Sequence, residues 1–362
     1  MDLADNRVLV AMSGGVDSSV TALLLHRQGY EVIGITMKTW DYATSGGNRK
    51  TTGCCSLDDI HDARALAVDL GFPHYILDIR EEFGEYIIDN FTNEYLAGRT
   101  PNPCVLCNTY IKWNALLRRA DLLGCRWIAT GHYASVHLIN DRYVVSRGRD
   151  QAKDQSYVLW GLSQAALSRT ILPLGAYTKA EIRAIARQAG YEFLARKAES
   201  YEICFVPDND YRAFLRRRIP DLDKKIGPGP FRDSSGKIVG THQGYPFYTV
   251  GQRKGLGLAL GYPVYVTRIE PETNTIYIGT EEELRQTTIF VRDYNLIKYK
   301  EINEPLRVWA KIRYKDPGAP ATLRKEGNML ELTFERPVSA VAPGQSAVFY
   351  EGDHLVGGGI IV

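Results

Sequence analysis

The chain has 362 residues, 44% hydrophobic and 24% charged, which excludes a disordered or fibrous protein and fits an ordinary globular one. Its net charge of +2 neither announces nor excludes a polyanionic partner, because a neutral total can hide a basic face. No run reaches ~18 consecutive apolar residues, and the start "MDLADNRVLVAM" lacks a basic region followed by an apolar core, so neither a membrane span nor a secretory leader is expected and the compartment is read as cytoplasmic.

At ~150 residues per domain, this length suggests two or three domains. "RVLVAM" is a short apolar run, followed by glycines and by "SSVTALLLHRQGY" with helical spacing: strand, loop, helix, with Gly29 as the stop. "EVIGITMK" reads as a second buried strand. "SLDDIHDARALAVDLGF" reads as a helix with Ser56 as N-cap, Asp59 in a capping-box variant and Gly71 at its end. "HYILDI" is a third strand. Asn108 is placed as the cap of a helix running to Leu123, closed by Gly124. "RWIAT" is a fourth strand. Strands alternating with helices imply an α/β domain, a doubly wound, mostly parallel sheet covered on both faces.

Near residue 205 the texture changes. "DNDYRAFLRRR" is a short basic helix, and "KKIGPGPFRDSSGKIVG" is rich in Gly and Pro. "YPVYVTRIEPETNTIYIGTEEEL" reads as a hairpin, and from about Thr287 short alternating strands run to the C-terminus, ending in "SAVFYEGDHLVGGGIIV" as two strands around a turn. The expected organisation is a nucleotide-type α/β domain over 1–205, a small central domain over 206–285 and a C-terminal β-barrel over 286–362. The 22 tyrosines suit β-rich structure, and exposed ones suit stacking on bases.

The loop "MSGGVDSSV" leaves the first strand and opens the first helix, where successive backbone N–H groups and the helix N-terminus bind phosphate. Gly14 and Gly15 permit close approach, Ser13, Ser18 and Ser19 offer hydroxyls, and Asp17 is a candidate to help hold Mg²⁺. It is not a Walker loop, because no Lys follows the glycines. A loop without that Lys suits pyrophosphate, leaving the α-phosphate open to attack.

Six cysteines stand at 54, 55, 104, 107, 125 and 204. Disulfides are not expected in a reducing compartment, so Cys104 and Cys107, in the polar and proline-flanked "TPNPCVLCN", call for reactive or metal chemistry. Cys125, at a strand entrance, reads as core. Cys54 and Cys55 are adjacent, which suits a four-ligand zinc site poorly, and they receive no catalytic role.

"SGGVDSS" resembles the pyrophosphate loop of the ATP pyrophosphatases, a family of adenylating enzymes. Together with "GITMKTWD", "TPNPCVLCN", "TGHYA", "KDQSYVL", "EICFVP", "TVGQRKGLG" and "KIRYKDPGAPA", in this order, it resembles the tRNA-specific 2-thiouridylases along the whole chain. That resemblance implies ATP with Mg²⁺, a tRNA substrate, a sulfur-donor protein as partner, and thiolation of the wobble uridine at tRNA position 34 through an adenylated intermediate. It implies Cys107 as nucleophile and Cys204 as persulfide carrier, with a transient disulfide between them. It implies ATP contacts from Ala11, Met12, Ser13, Gly14, Gly15, Val16, Asp17, Ser18, Met37 and Gly131. It places tRNA contacts at Asn102, Pro103, Cys104, His132, Asp154, Gln155, Ser156, Arg313, Tyr314 and Gln345.

This chain departs from the resemblance at Cys104, where many members carry Asp. A second reading therefore stands beside the persulfide: Cys104, Cys107 and Cys204 as ligands of an iron–sulfur cluster with one open iron. Two other functions also remain open at this point, a small-molecule ligase of the same loop class and a noncatalytic zinc or RNA-binding module. Arg216, Arg217 and Arg218 with Lys224 and Lys225 are either phosphate contacts or merely solvated.

Overall fold

The computed structural model describes residues 6–40, 57–198, 203–206 and 209–362. Cys54, Cys55 and the proposed Ser56 cap lie outside the described residues.

Five strands form a wholly parallel sheet: β1 Arg7–Ala11, β2 Glu31–Lys38, β3 His74–Asp78, β4 Trp127–Ala129 and, after the hairpin β5 Ala134–Ile139 and β6 Arg142–Arg147, β7 Thr170–Ile171. Their order is β3-β2-β1-β4-β7. The centre reads as an unbroken apolar run because both faces are covered: Val8, Leu9 and Val10 are fully buried. Val8 and Val10 pack with Leu25 and Leu66, while Leu9 packs with Trp113 and Leu116. Helix Val16–Arg27 stops at Gly29 and helix Leu57–Asp69 at Gly71, both with positive φ.

The helix expected to start at Asn108 differs from the sequence expectation. The chain is helical from Pro103, whose fixed φ suits a first turn, through a π-helical stretch Cys107–Lys112 into Trp113–Leu122. Asn108 is therefore not a cap. It lies inside the π-helical turn, buried, and its side-chain amide donates to the Val158 carbonyl at 3.1 Å. The helix begins earlier because Pro103 supplies a start that no side-chain cap is needed to provide.

The middle of the chain folds as a second sheet. It comprises β8 Gly229–Arg232, β9 Ile238–His242, β10 Tyr265–Glu270 and β11 Thr275–Gly279, in the order β10-β11-β8-β9, beside helix Tyr211–Arg218. The hairpin expected from residues 262–284 is the antiparallel β10–β11 pair.

The third sheet is a closed antiparallel barrel of β12 Gln286–Leu296, β13 Leu306–Lys311, β14 Ala319–Glu326, β15 Met329–Val338, β16 Ser346–Glu351 and β17 His354–Ile361, closed by the β12–β17 pairing. The barrel annexes the β5–β6 hairpin through the pairing of His354 with Ser146. This hairpin turns on Asn140 and Asp141, both with positive φ, the sequence signature of a tight turn. The core containing Trp113, Tyr157 and Leu162 continues across the seam to Val348 and Tyr350 of the barrel.

Phe205 holds down the segment that carries Cys204. It is 1% exposed and sits 5.1 Å from Phe91, 5.4 Å from Phe214 and 5.7 Å from Phe83, ring centre to ring centre. Truncation of such a ring leaves a cavity that its neighbours only partly fill. Phe205→Ala is expected to lower the urea unfolding free energy by about 3–5 kcal/mol, the usual range for a buried Phe. A loss below ~1 kcal/mol would show that the segment is held by something else.

Candidate functional site

The strand order reverses between β1 and β4, so the loops leaving their C-terminal ends diverge around a crevice. The loop after β1 carries the glycine-serine motif, and that after β4 carries Gly131 and His132. They touch: a Cβ on Gly131 would lie 2.9 Å from the Ser18 amide nitrogen. Met12 is buried, Ala11 half-buried, and Val16 packs under the loop. Ser18 Oγ accepts from the Ser13 amide at 3.0 Å and donates to the Gly15 carbonyl at 3.2 Å, which shapes the turn. Gly14 has φ +73°, and a Cβ there would meet the Asp59 carbonyl oxygen at 2.1 Å, so only glycine fits.

The loop that lacks its own lysine receives two from far along the chain. Lys179, the first residue of helix Lys179–Gln188, places Nζ 2.7 Å from both carboxylate oxygens of Asp17. Tyr133 donates its hydroxyl to the same carboxylate at 2.7 Å. Lys197 donates to the Gly14 carbonyl at 3.0 Å and pairs with Asp59 at 2.5 Å and Asp62 at 2.6 Å. Sequence reading missed Lys179, Lys197 and Tyr133, because no spacing rule connects residues more than 100 positions apart. The "TK" start of a capped helix after β7 was the available signal.

The residue set does not fit a resident metal. Asp17, proposed for Mg²⁺, has both oxygens committed to Lys179 and Tyr133. Among the described residues no three His, Cys, Asp or Glu side chains come together to hold an ion.

The cysteines divide. Cys107 is buried in an aromatic and aliphatic cluster with Phe83, Phe91 and Phe205, and Cys204, half-buried, packs against that same cluster. Cys104, one turn before Cys107, is exposed. Protein packed around its thiol nevertheless raises the pKa by desolvation, opposed by the charge of Lys112. Met37 lies half-buried between two core clusters. Cys125 is core as expected, its thiol pushed up to about 11, first by burial.

Of the residues assigned to tRNA, Arg313 and Tyr314 are exposed on the barrel, and the Tyr314 hydroxyl donates to the Asp154 carbonyl at 3.0 Å. Asp154 and Gln155 are half-buried and turned inward: Asp154 accepts from the Gly148 and Ser156 amides, both at 3.1 Å, and Gln155 accepts from the Tyr133 amide at 3.0 Å. Ser156 is fully buried, its hydroxyl bound to Asp154 and close to that of Tyr350. Pro103 is buried, and Asn102 reaches Ser346 at 3.5 Å. Gln345 donates to the Thr100 and Pro101 carbonyls at 3.1 and 2.8 Å. Arg216 pairs with Asp223 and Arg218 with Asp89, so neither offers an unopposed charge.

A glycine-serine loop at the switch point of a parallel sheet, in a domain whose β5–β6 hairpin joins a barrel, defines a nucleotide-binding α/β protein of the adenine-nucleotide hydrolase-like class. Family models match over residues 6–208 as "tRNA methyl transferase HUP domain", 212–280 as "tRNA methyl transferase PRC-barrel domain" and 286–361 as "Aminomethyltransferase beta-barrel domain". A curated relative from Amoebophilus asiaticus, the tRNA-specific 2-thiouridylase MnmA, is 63% identical over 98% of this chain and 95% of its own; that from Cytophaga hutchinsonii, under the same name, is 58% identical over 98% and 97%. The chain belongs to the tRNA-specific 2-thiouridylase family. A solved 4-thiouridine synthetase–RNA complex with bound ATP is 16% identical, covers 60% of this chain and 52% of its own, and has a TM-score of 0.37, too weak a likeness to carry weight.

His132 gives a direct test of this geometry. Its Nδ1 is 2.7 Å from the Thr130 hydroxyl, and its ring lies 5.5 Å from that of Trp113. Burial, then the nearby Lys112 charge, pushes its pKa down to about 3. The unfolded chain therefore binds a proton that the folded one does not between about pH 3 and 6.5, and this group adds stability as pH rises through that window. The C2-proton NMR shift of His132 is expected to show no titration step from pH 5 to 8. A midpoint near 6.5 would put the ring in open water.

Proposed function

We propose that the chain is a tRNA uridine 2-sulfurtransferase acting on the wobble uridine, position 34, of its tRNA substrates, with ATP as the activating co-substrate. The observation that carries the reading is the coincidence on one chain of a phosphate loop at the switch point and two cysteines, Cys107 and Cys204, anchored on one aromatic cluster. A small-molecule ligase of the same loop class has no use for that cysteine pair.

The chemistry needs both parts. The C2 carbonyl of uracil is a poor electrophile. Attack of its oxygen on the ATP α-phosphate forms a C2–O–AMP bond and expels pyrophosphate. In this scheme the loop from Ala11 to Ser18 cradles the phosphates, Lys179 and Lys197 offset their charge, and Gly131 lets the nucleotide approach. A persulfide on Cys204 then attacks C2, and AMP leaves with the oxygen. Cys107 thiolate attacks the Cys204 sulfur, breaking its bond to the transferred sulfur, which stays on C2. A Cys107–Cys204 disulfide results, and a thiol reductant must open it before the next turnover. A cysteine desulfurase or sulfur-relay protein is the natural source of the persulfide, and the cytoplasm the natural compartment. No step is routed through an iron–sulfur cluster, since Cys104 is exposed while Cys107 is buried and, among the described residues, the donors do not converge.

RNA recognition falls to the exposed Arg313 and Tyr314, with the base extruded toward Asn102, Pro103 and Cys104. Two measurements test the scheme. Asp17→Ala, which releases Lys179 and Tyr133 from their shared partner, is expected to abolish tRNA-dependent release of AMP in protein that circular dichroism shows to be still folded. Cys107→Ser is expected to keep pyrophosphate release yet form no 2-thiouridine, while Cys104→Asp stays active in iron-free protein supplied with a persulfide donor. AMP release triggered by amino acids or nucleotides instead of tRNA would overturn the assignment. So would thiolation that appears only after iron–sulfur reconstitution.

A further inference from the structure

The seam between the β5–β6 hairpin and the barrel holds two cations that the scheme above does not use. Arg147 ends β6, and its amide donates to the Asp353 carbonyl at 2.9 Å, which ties it to the barrel. Its guanidinium carbon lies 4.2 Å from the centre of the Tyr350 ring. The Nε and Nη2 atoms are buried, and among the described residues neither has a hydrogen-bond partner. The buried hydroxyl of neighbouring Ser146 is likewise unpartnered among them. Lys311 ends β13 across the seam, half-buried, with Nζ 5.9 Å from the Tyr157 ring centre.

The carboxylates within electrostatic reach of this pair are engaged elsewhere. Asp154 already accepts from the Gly148 amide, from the Ser156 amide and from the Ser156 hydroxyl. Asp316 points an oxygen at the Ile312 amide, 3.0 Å away. Burial lowers the pKa of Lys311, and Arg147's like charge adds to that against the pull of these carboxylates. A buried guanidinium edge without acceptors is unfavourable for a fold, and an incoming anion with several oxygens satisfies it.

We propose that Arg147 and Lys311 bind a backbone phosphate of the tRNA at this seam. The inference rests on the tRNA reading above. The seam adjoins the exposed RNA face: Tyr314 hydrogen-bonds to the Asp154 carbonyl and lies near Cys104. The phosphates of a bound nucleotide have their own lysines at the loop, Lys179 and Lys197. A phosphodiester flanking the extruded uridine would be gripped between hairpin and barrel, fixing the strand while the base turns toward Cys104.

The test is filter binding of unmodified tRNA to the full chain at several salt concentrations, beside the KM for ATP. Arg147→Met and Lys311→Met are each expected to weaken tRNA binding about tenfold and to flatten the slope of log Kd against log salt by about one, the signature of one lost phosphate contact. The ATP KM should stay within about twofold of wild type, a change too small to signal a lost phosphate contact. Unchanged tRNA affinity and slope in folded variants would overturn the proposal. A raised ATP KM with unchanged tRNA binding would also overturn it, by placing a nucleotide phosphate there. Should Arg147→Met not fold, Lys311→Met distinguishes the same outcomes by itself. Wild-type protein that binds no tRNA would sink the function itself, whereas wild-type binding with indifferent variants sinks this inference alone.

Discussion

A parallel sheet sends the N-terminus of every crossover helix to one edge, and the carboxylate of Asp17 holds two such ends together. Asp17 lies in the first turn of its helix, and Lys179 is the first residue of another, 162 positions later. Each helix end carries partial positive charge, and a second lysine, Lys197, sits against the Gly14 carbonyl. The nearby carboxylates of Asp17, Asp59 and Asp62 are short and already engaged by these lysines. The charged side chains around the loop are thus paired with one another, and the backbone N–H groups of the two helix ends supply the remaining partial positive charge. Helix ends and backbone N–H groups of this kind are what the proposed phosphate site draws on, and each part is ordinary one at a time.

Much of this frame is legible in the sequence. Apolar runs of five residues followed by Gly and a 3.6-residue period give strand and helix directly, and the "SGGVDSS" turn follows from the need for a positive φ at Gly14. What is not legible is contact at long range. Asn108 carries a capping side chain, yet Pro103 starts the helix earlier and the amide goes to Val158 instead. The hairpin β5–β6 escapes a sequence reading although Asn140 and Asp141 mark its turn, because its strands leave the parallel sheet and join the barrel. Ser156 resembles an RNA contact in sequence, but the local turn buries it under Tyr350.

The barrel does more than add an RNA-facing surface. The loop that carries Cys104 and Cys107 is braced by it: the Thr100 amide donates to the Pro343 carbonyl at 2.8 Å, and Gln345 holds the Thr100 and Pro101 carbonyls. Gly344 sits so close that a Cβ there would meet the Thr100 oxygen at 2.9 Å, and its φ is +89°. Backbone-to-backbone and amide-to-backbone bonds of this kind fix position without regard to the side chains of the loop they hold, so the cysteine loop takes its register from the barrel rather than from its own sequence.

From the other side, that loop ends in a π-helical turn that seats Cys107 among Phe83, Phe91 and Phe205, the aromatic cluster against which Cys204 also packs. One short segment is therefore clamped between a barrel and an aromatic core, with Cys104 an exposed residue and Cys107 a buried one. A π-helical turn is costly and persists where its surroundings over-determine it. Here the two clamps supply that constraint. The π-helical stretch runs directly into the packed helix Trp113–Leu122, and Cys107, its first residue, is buried. The two cysteines thus divide by their surroundings: Cys107 is buried in the aromatic core, while Cys104, one turn earlier on the barrel-braced side, is an exposed residue.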